Sequence, residues 1–203
     1  MYLSRITLDS SKRETARALS ERGRLHSLIE DSFTGPRQHP LWRVDKEMGI
    51  YTLLIVSTDI PDLGKIEKAI GSGDGRTIPY DEYSPKIVNE NEVLRFRISV
   101  NPTIRRSKDG ATVPLNLHRT ENQPYSSEDW VREKLKTAGV EVIKIEVVDF
   151  RSIRVKCGKG LVFKVTYDGL LKIADSEKFR EAMLTGIGRK KAYGCGLITV
   201  MPC

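Results

Sequence analysis

The stretch Val93-Leu-Arg-Phe-Arg-Ile-Ser-Val100 decides how this chain is divided, because it begins a second series of secondary-structure elements. Its alternation of side chains has the period of a β-strand, with Phe96, Ile98 and Val100 directed inward. The opposite face carries Arg95, Arg97 and Ser99, so we expect that face to be cationic. The strand follows a polar stretch, Asp81 to Asn91, after which the pattern of the first half restarts.

The first half is predicted to have the order β-α-β-β-α, with a short fourth strand completing the unit. A Ser11-Lys-Arg-Glu14 capping box is expected to open a helical region that extends to about Phe33 and bends at Gly23. The predicted strands are Tyr2 to Leu8, Trp42 to Asp45, Ile50 to Ser57 and Thr77 to Tyr80. A second helix is expected from Asp62 to Ile70, ended by Gly71.

The second half repeats this order, although no residue-level repeat is visible. After the strand at 93–100 we expect a helix at Ser126 to Ala138 and strands at Val140 to Asp149, Arg151 to Cys157 and Leu161 to Tyr167. A helix at Asp175 to Leu184 and a strand at Leu197 to Val200 follow. The sequence therefore predicts an α+β protein of two tandem ferredoxin-like (βαββαβ) domains, residues 1–88 and 89–203.

The charge distribution is uneven along the chain. The 203 residues include 34 Lys and Arg against 27 Asp and Glu, a net charge of +7. Three windows contain no Asp or Glu: Val93 to Lys108, Arg151 to Lys164 and Leu184 to Cys203. Clustering of this kind favours a nucleic-acid partner, whereas scattered solubilising lysines would explain the total charge but not the clustering.

Glycines and cations are combined in the segment from Gly186 to Gly196, which predicts a phosphate contact through Gly186, Gly188, Arg189, Lys190 and Lys191. Glycines let main-chain N–H groups turn toward an anion. A Walker loop would need Gly-Lys-Ser/Thr, and a dinucleotide loop would need a third glycine where Lys191 stands. A polymeric phosphate backbone is therefore favoured over a bound mononucleotide.

Two further segments are cationic. The loop after the strand at 93–100 carries Arg105, Arg106 and Lys108. The hairpin from Arg151 to Lys164 carries further cations, with a turn at its tip: Arg151, Arg154, Lys156 and Lys159. A basic hairpin of this kind could grip RNA phosphates, although lysines and arginines also protect an edge strand from aggregation.

His26 is the candidate catalytic residue. Leu25, Leu28 and Ile29 mark the buried stripe of the first helical region, and His26 falls at the edge of that stripe. Histidine moves protons near neutral pH, and a nearby cation such as Arg24 could stabilise charge on a phosphate. A lone histidine is more often structural, and His39 and His118 are expected to be surface residues.

The cysteines are far apart and show no metal-ligand spacing, so no metal, cofactor or disulfide is predicted. The N-terminal run lacks the features of a signal peptide, and no segment is long enough to span a bilayer. We therefore expect a cytoplasmic protein without a membrane partner.

Several segments resemble a known family, the CasE/Cse-type CRISPR-associated endoribonucleases of type I-E systems. The similar segments are the opening Met1 to Arg5, the Leu25-His26 pair, Phe96 to Pro102, and Gly186 to Ile198. They occur in the same order over essentially the whole chain, and the C-terminal glycine motif is the most specific of them.

The resemblance implies metal-independent cleavage of CRISPR precursor RNA at repeat hairpins. In such enzymes the 2′-hydroxyl attacks phosphorus and the 5′-oxygen leaves, giving a cyclic phosphate. His26 would act as general acid or base, the basic segments would hold the hairpin, and the product would stay bound in a Cascade complex. Family members often carry tyrosine where Gly23 stands here, so either His26 works with a different partner, such as Arg24 or Ser152, or cleavage is slow. A non-catalytic RNA-binding scaffold remains the alternative.

Overall fold

Two antiparallel four-stranded sheets with helices packed on them form the computed structural model, which describes residues 1–80, 88–154 and 161–203. The first half contains β1 (Tyr2–Leu8), α1 (Arg13–Ser20), α2 (Arg22–Glu30), β2 (Leu41–Glu47), β3 (Ile50–Ser57), α3 (Leu63–Ile70) and β4 (Arg76–Pro79). The second half contains β5 (Val93–Val100), β6 (Thr103–Arg105), β7 (Thr112–Pro114), α4 (Ser127–Thr137), β8 (Val140–Arg154), β9 (Leu161–Ile173), α5 (Ser176–Thr185) and β10 (Ile198–Pro202).

Both sheets have the same topology. The strand order is β2-β3-β1-β4 in the first sheet and β10-β5-β9-β8 in the second. In each half the first and third long strands lie at the centre, flanked by the second and the last. With the helices between them, this is the βαββαβ order of a ferredoxin-like unit, so the predicted fold of two such units in tandem is confirmed.

The start of the first helical region differs from the prediction. The capping box is absent, since α1 follows Lys12 without a side-chain cap, and the hydroxyl of Ser11 donates to Asp9 instead. The break lies at Glu21, between α1 and α2, whereas Gly23 is inside α2. The glycine therefore does not interrupt the helix, and the prediction of a bend there was wrong.

The second half contains two features that the sequence pattern did not predict. β8 is one strand of 15 residues, not two, because register shifts between Val142 and Lys144 and between Val147 and Asp149 let the ladder continue past irregular positions. The segment predicted as a loop after β5 contains the short β6–β7 hairpin. The turn predicted at 158–160 lies outside the described residues.

The two halves share an apolar core and a buried arginine. Leu41 and Val56 belong to the same buried cluster as Ile98 and Leu197 of the second half. Arg43, only 1% exposed, donates through Nη1 to the main-chain oxygens of Arg97 (2.8 Å) and Leu197 (3.0 Å). The division into 1–88 and 89–203 remains a prediction, and part of the polar stretch before it, 81–87, is not described.

Candidate active site and nucleic-acid interface

His26 is held in place by the packing of α2. Leu25 and Ile29 on the same helix are fully buried, which fixes the rotation of α2 about its axis. The imidazole lies beside them at the margin of the protein, and 15% of its side chain is accessible to solvent. A rigid helix therefore presents a histidine that solvent or a substrate can reach.

Two side chains approach the imidazole directly. Nη2 of Arg37 lies 3.3 Å from Nε2 of His26, and Oε1 of Glu30 lies 3.9 Å from the same nitrogen. Nε of Arg37 is also 3.5 Å from Oε2 of Glu30. Histidine, guanidinium and carboxylate thus form a compact group, which we call the His26 cluster.

The His26 cluster favours a neutral imidazole. Burial lowers the pKa of His26, Glu30 raises it, and Arg37 and His39 lower it further. Because a guanidinium only donates hydrogen bonds, the contact with Arg37 requires a lone pair on Nε2. In the free protein Nε2 is therefore suited to accept a proton rather than to give one.

Arg37 and Glu30 were missed as functional residues by the sequence reasoning. Arg37 lies in the loop after α2, 11 positions from His26, so no helical spacing links the two. Of the partners expected for His26, Arg24 donates through Nε to Oε2 of Glu21 (2.7 Å), and Ser152 is an exposed residue of β8. His39 and His118 are exposed, as expected.

The glycine segment, residues 186–196, packs closely against large side chains. A Cβ added to Gly186 would lie 2.6 Å from Leu41, one on Gly188 would lie 2.9 Å from Trp130, and one on Gly194 would lie 2.7 Å from Trp42. All three residues have positive φ. Packing thus accounts for these glycines, and the expectation that Gly186 and Gly188 contact RNA stays a prediction.

The three cations of the glycine segment have different environments. The ammonium of Lys191 donates to the main-chain oxygen of Thr185, at the end of α5. Nζ of Lys190 lies 5.7 Å from the ring centroid of Tyr193, a cation–π distance. Arg189 is exposed, so its guanidinium is accessible to an anion.

Several of the other predicted cations are engaged with carboxylates. Arg106 binds Asp109 (2.6 Å) and Arg151 binds Asp149 (2.6 Å). On the face of β5 expected to be cationic, Arg97 binds Asp168 (2.6 Å) and Ser99 is buried. Windows without acids in the sequence are therefore not free of acids in space. Asp109 and Asp149 lie just outside two of the windows, and antiparallel pairing brings Asp168 beside Arg97.

The remaining predicted contacts are only partly described. Arg105 donates to the main-chain oxygen of Gly110 (3.3 Å), and Lys108 is exposed. Arg154 ends β8 opposite Leu161. Lys156 and Lys159 lie outside the described residues.

The structure does bring the helix of His26 next to the glycine segment. The turn at Lys191–Tyr193 contacts both α2 and β2. Arg151 lies near Arg22, at the start of α2, across the boundary between the two sheets. Residues that are more than 120 positions apart in the chain thus meet around α2.

In the described residues no helix has the length and apolarity to cross a membrane.

Comparisons with known proteins agree with the fold and with the sequence resemblance. The curated CRISPR-associated endoribonuclease Cse3 of Thermus thermophilus is 24% identical over 222 residues, covering 100% of both chains. The structure of Thermus thermophilus Cse3 bound to an RNA representing a pre-cleavage complex superposes with a TM-score of 0.82 at 20% identity, covering 99% of this chain and 98% of that one. A chain of a CRISPR RNA-guided surveillance complex gives a TM-score of 0.66 at 21% identity, with both chains fully covered.

The family comparison covers nearly every residue. The model of the family described as "CRISPR associated protein" matches residues 1–202. Both ferredoxin-like units, the helix of His26 and the glycine segment fall within the match. The chain therefore belongs to the CRISPR-associated protein family to which its sequence resemblance pointed.

Proposed function

We propose that this protein is a metal-independent endoribonuclease that cuts CRISPR precursor RNA within repeat hairpins. Its similarity to Cse3, a protein named as an endoribonuclease and solved with RNA, supports an RNA-cleaving activity. The observation that carries the proposal for this chain is the His26 cluster, in which an imidazole that favours the neutral form lies beside an exposed guanidinium.

The cluster suits cleavage by the RNA's own 2′-hydroxyl. Nε2 of His26 takes the proton from that hydroxyl, whose oxygen then bonds to phosphorus while the bond to the 5′-oxygen breaks. The 5′-oxygen takes a proton from water, and the products are a 2′,3′-cyclic phosphate and a free 5′-hydroxyl. Proton transfer by a positioned base typically contributes about 10²–10⁴-fold to a rate.

Arg37 and Glu30 have separate roles in this scheme. The side chain of Arg37 is 63% exposed, so it can leave Nε2 and bind the phosphate as negative charge develops there. Glu30, 12% exposed, remains to stabilise the imidazolium that forms. This pair supplies what Gly23 cannot, since glycine has no side chain to donate a proton or orient a hydroxyl.

The hairpin is held by cations around this site. Among the cations predicted to contact RNA, four are exposed and have no carboxylate partner in the described ranges, and these are the first candidates to bind backbone phosphates: Arg105, Lys108, Arg189 and Lys190. Arg24, Arg106 and Arg151 exchange a carboxylate for a phosphate when RNA binds, which reduces the free energy that each of them contributes to binding. Lys191, Arg154, Lys156, Lys159, Gly186 and Gly188 complete the proposed surface.

A single-turnover cleavage assay on a matching repeat RNA, run in chelator, tests the proposal. We expect wild-type protein to cut the RNA and leave a cyclic phosphate, which acid converts to a monophosphate. His26→Ala should cut about 10²–10⁴-fold more slowly while still shifting the RNA in a gel. His118→Ala, which alters an exposed histidine outside the cluster, is the matched control and should cut normally.

The alternative is a scaffold that binds repeat RNA without cutting it. Such a protein would shift the RNA in the gel but leave it full length in chelator and in magnesium. An unchanged rate in His26→Ala would instead remove His26 from the mechanism. The surveillance-complex chain of the same fold supports the further proposal that the product stays bound and that the protein joins Cascade-type subunits.

A further inference from the structure

A cavity of about 260 Å³ lies between the two ferredoxin-like units. The first unit contributes Arg22, Asp45, Lys46 and Tyr51 to its lining, and the second contributes Arg97, Asp149 and Arg151 among others. Both units are therefore needed to build it. Its volume is several times the roughly 30 Å³ that one water occupies in the liquid, which leaves room for a tetrahedral anion and waters.

Arg22 is the unusual residue of this cavity. It is 3% exposed, and its Nη1 is buried without a hydrogen-bond partner among the described residues. A buried charged donor left unpaired is costly, and buried charges in proteins are normally paired. Burial, with Arg151 nearby, lowers the pKa of Arg22 to about 10, so its surroundings disfavour the charged form of its side chain.

The carboxylates of the cavity form their hydrogen bonds with other arginines, and none to Arg22 is found among the described residues. Asp45 accepts from Nε and Nη2 of Arg43 (2.7 and 2.9 Å). Asp149 accepts from Nε and Nη2 of Arg151 (3.0 and 2.6 Å).

Two more cations lie close by without a carboxylate partner in the described ranges. Nζ of Lys46 stands 5.2 Å from the ring centroid of Tyr51. Lys164 is buried near Arg22, and its Nζ has one long contact, 3.4 Å, to the main-chain oxygen of Val44. The cavity therefore carries an excess of positive charge that is not satisfied from within the protein.

We propose that this cavity is a binding site for a phosphate group, with Arg22 as its principal ligand and Lys46 as a second. A phosphate oxygen would give Nη1 of Arg22 the acceptor that it lacks, in a charge-assisted hydrogen bond. A single RNA strand and inorganic phosphate both present such oxygens, and the experiment below distinguishes these two sources. The site is separate from the His26 cluster, whose residues do not line the cavity.

Binding of inorganic phosphate to the full chain tests the proposal, with chloride at matched ionic strength as the reference. We expect phosphate to raise the Tm of the wild-type protein and to bind in calorimetry. Arg22→Gln should weaken binding about tenfold or more, the usual effect of losing a hydrogen bond to a charged group, and Lys46→Gln should weaken it less.

A variant that is expected to bind phosphate more tightly distinguishes a loss of the site from a folding defect. Asp149→Asn removes a carboxylate from the cavity and frees Arg151, so phosphate should bind this variant more tightly than wild type. Damage to the fold could mimic a loss of binding but not this gain. An affinity unchanged in both Arg22→Gln and Asp149→Asn overturns the proposal.

A second arm identifies the source of the phosphate group. It measures binding of a short unstructured RNA strand, without a hairpin, to the same variants. If the strand depends on Arg22 and Asp149 in the expected directions but inorganic phosphate does not bind, the ligand is the RNA backbone. If neither probe binds wild type, the proposal is wrong. These readouts need no cleavage, so they stand or fall separately from the proposed nuclease activity.

Discussion

Gly194→Ala should destabilise the protein far more than the loss of one glycine usually does. Gly194 has φ +81, where an L-residue is strained by about 1–2 kcal/mol. Its added Cβ would also lie 2.7 Å from the ring of Trp42, which is fully buried. Overpacking of this kind typically costs a further 1–3 kcal/mol or so, so we expect a loss of about 2–5 kcal/mol in the free energy of unfolding.

Gly49→Ala is the matched control for this experiment. Gly49 has nearly the same backbone torsion, φ +83, but an added Cβ would meet nothing within 4 Å. The free energy of unfolding of Gly49→Ala should therefore fall only by the backbone strain, about 1–2 kcal/mol. Urea denaturation followed by tryptophan fluorescence measures both variants. Equal losses of stability in the two variants would refute the argument that the contact with Trp42 requires a glycine at position 194.

Three further predictions concern charged side chains. Arg37→Gln should raise the pKa of His26, because the guanidinium lowers it; NMR titration of the imidazole measures the change. Burial, with Arg22 nearby, lowers the pKa of Lys164 from 10.5 to about 8. Between these values the unfolded chain holds a proton that the folded chain has lost, so this lysine makes stability rise with pH, by at most about 1.4 kcal/mol per unit. Denaturation of wild type and Lys164→Met at pH values from 7 to 9 measures this effect, and the stability of the variant should lack the increase with pH that Lys164 contributes. Arg43→Met should lose about 3–5 kcal/mol, the usual effect of breaking a buried ion pair, since Asp45 keeps only a 3.9 Å contact with Nη1 of Arg97; an unchanged urea midpoint would contradict it.

Most of the fold could be predicted because its strands are strongly periodic. β5 alternates buried and exposed residues along most of its length, and its predicted bounds agree with the structure. The errors fall where local signals compete. The serine at position 11 looked like a helix cap, but its hydroxyl found Asp9 two residues away. Gly23 looked like a helix break, but a single glycine inside a helix costs only about 1 kcal/mol, which tertiary packing offsets.

The candidate site was predictable only where one element contains it. His26 could be found because the stripe of α2 places it at the edge of the core. Its contact with Arg37 depends on the path of a loop, and the pairing of Arg97 with Asp168 depends on strand register. Neither contact has a characteristic separation in the sequence by which it could be predicted. Ion pairs, some with acids two or three residues away and one across strands, are also why the count of cations overstated how many are free.

The hydrogen bonds from Arg43 to the oxygen of Leu197, 154 positions later, have a consequence for the order in which this protein matures. During synthesis, β2 leaves the ribosome long before the residues that cover it. Until then Leu41, Trp42 and Arg43 have no glycine segment to pack against, and contacts of such long separation form slowly. The first unit must therefore wait for residues 186–197, so a nascent protein of this kind is vulnerable to aggregation and proteolysis until that segment has left the ribosome.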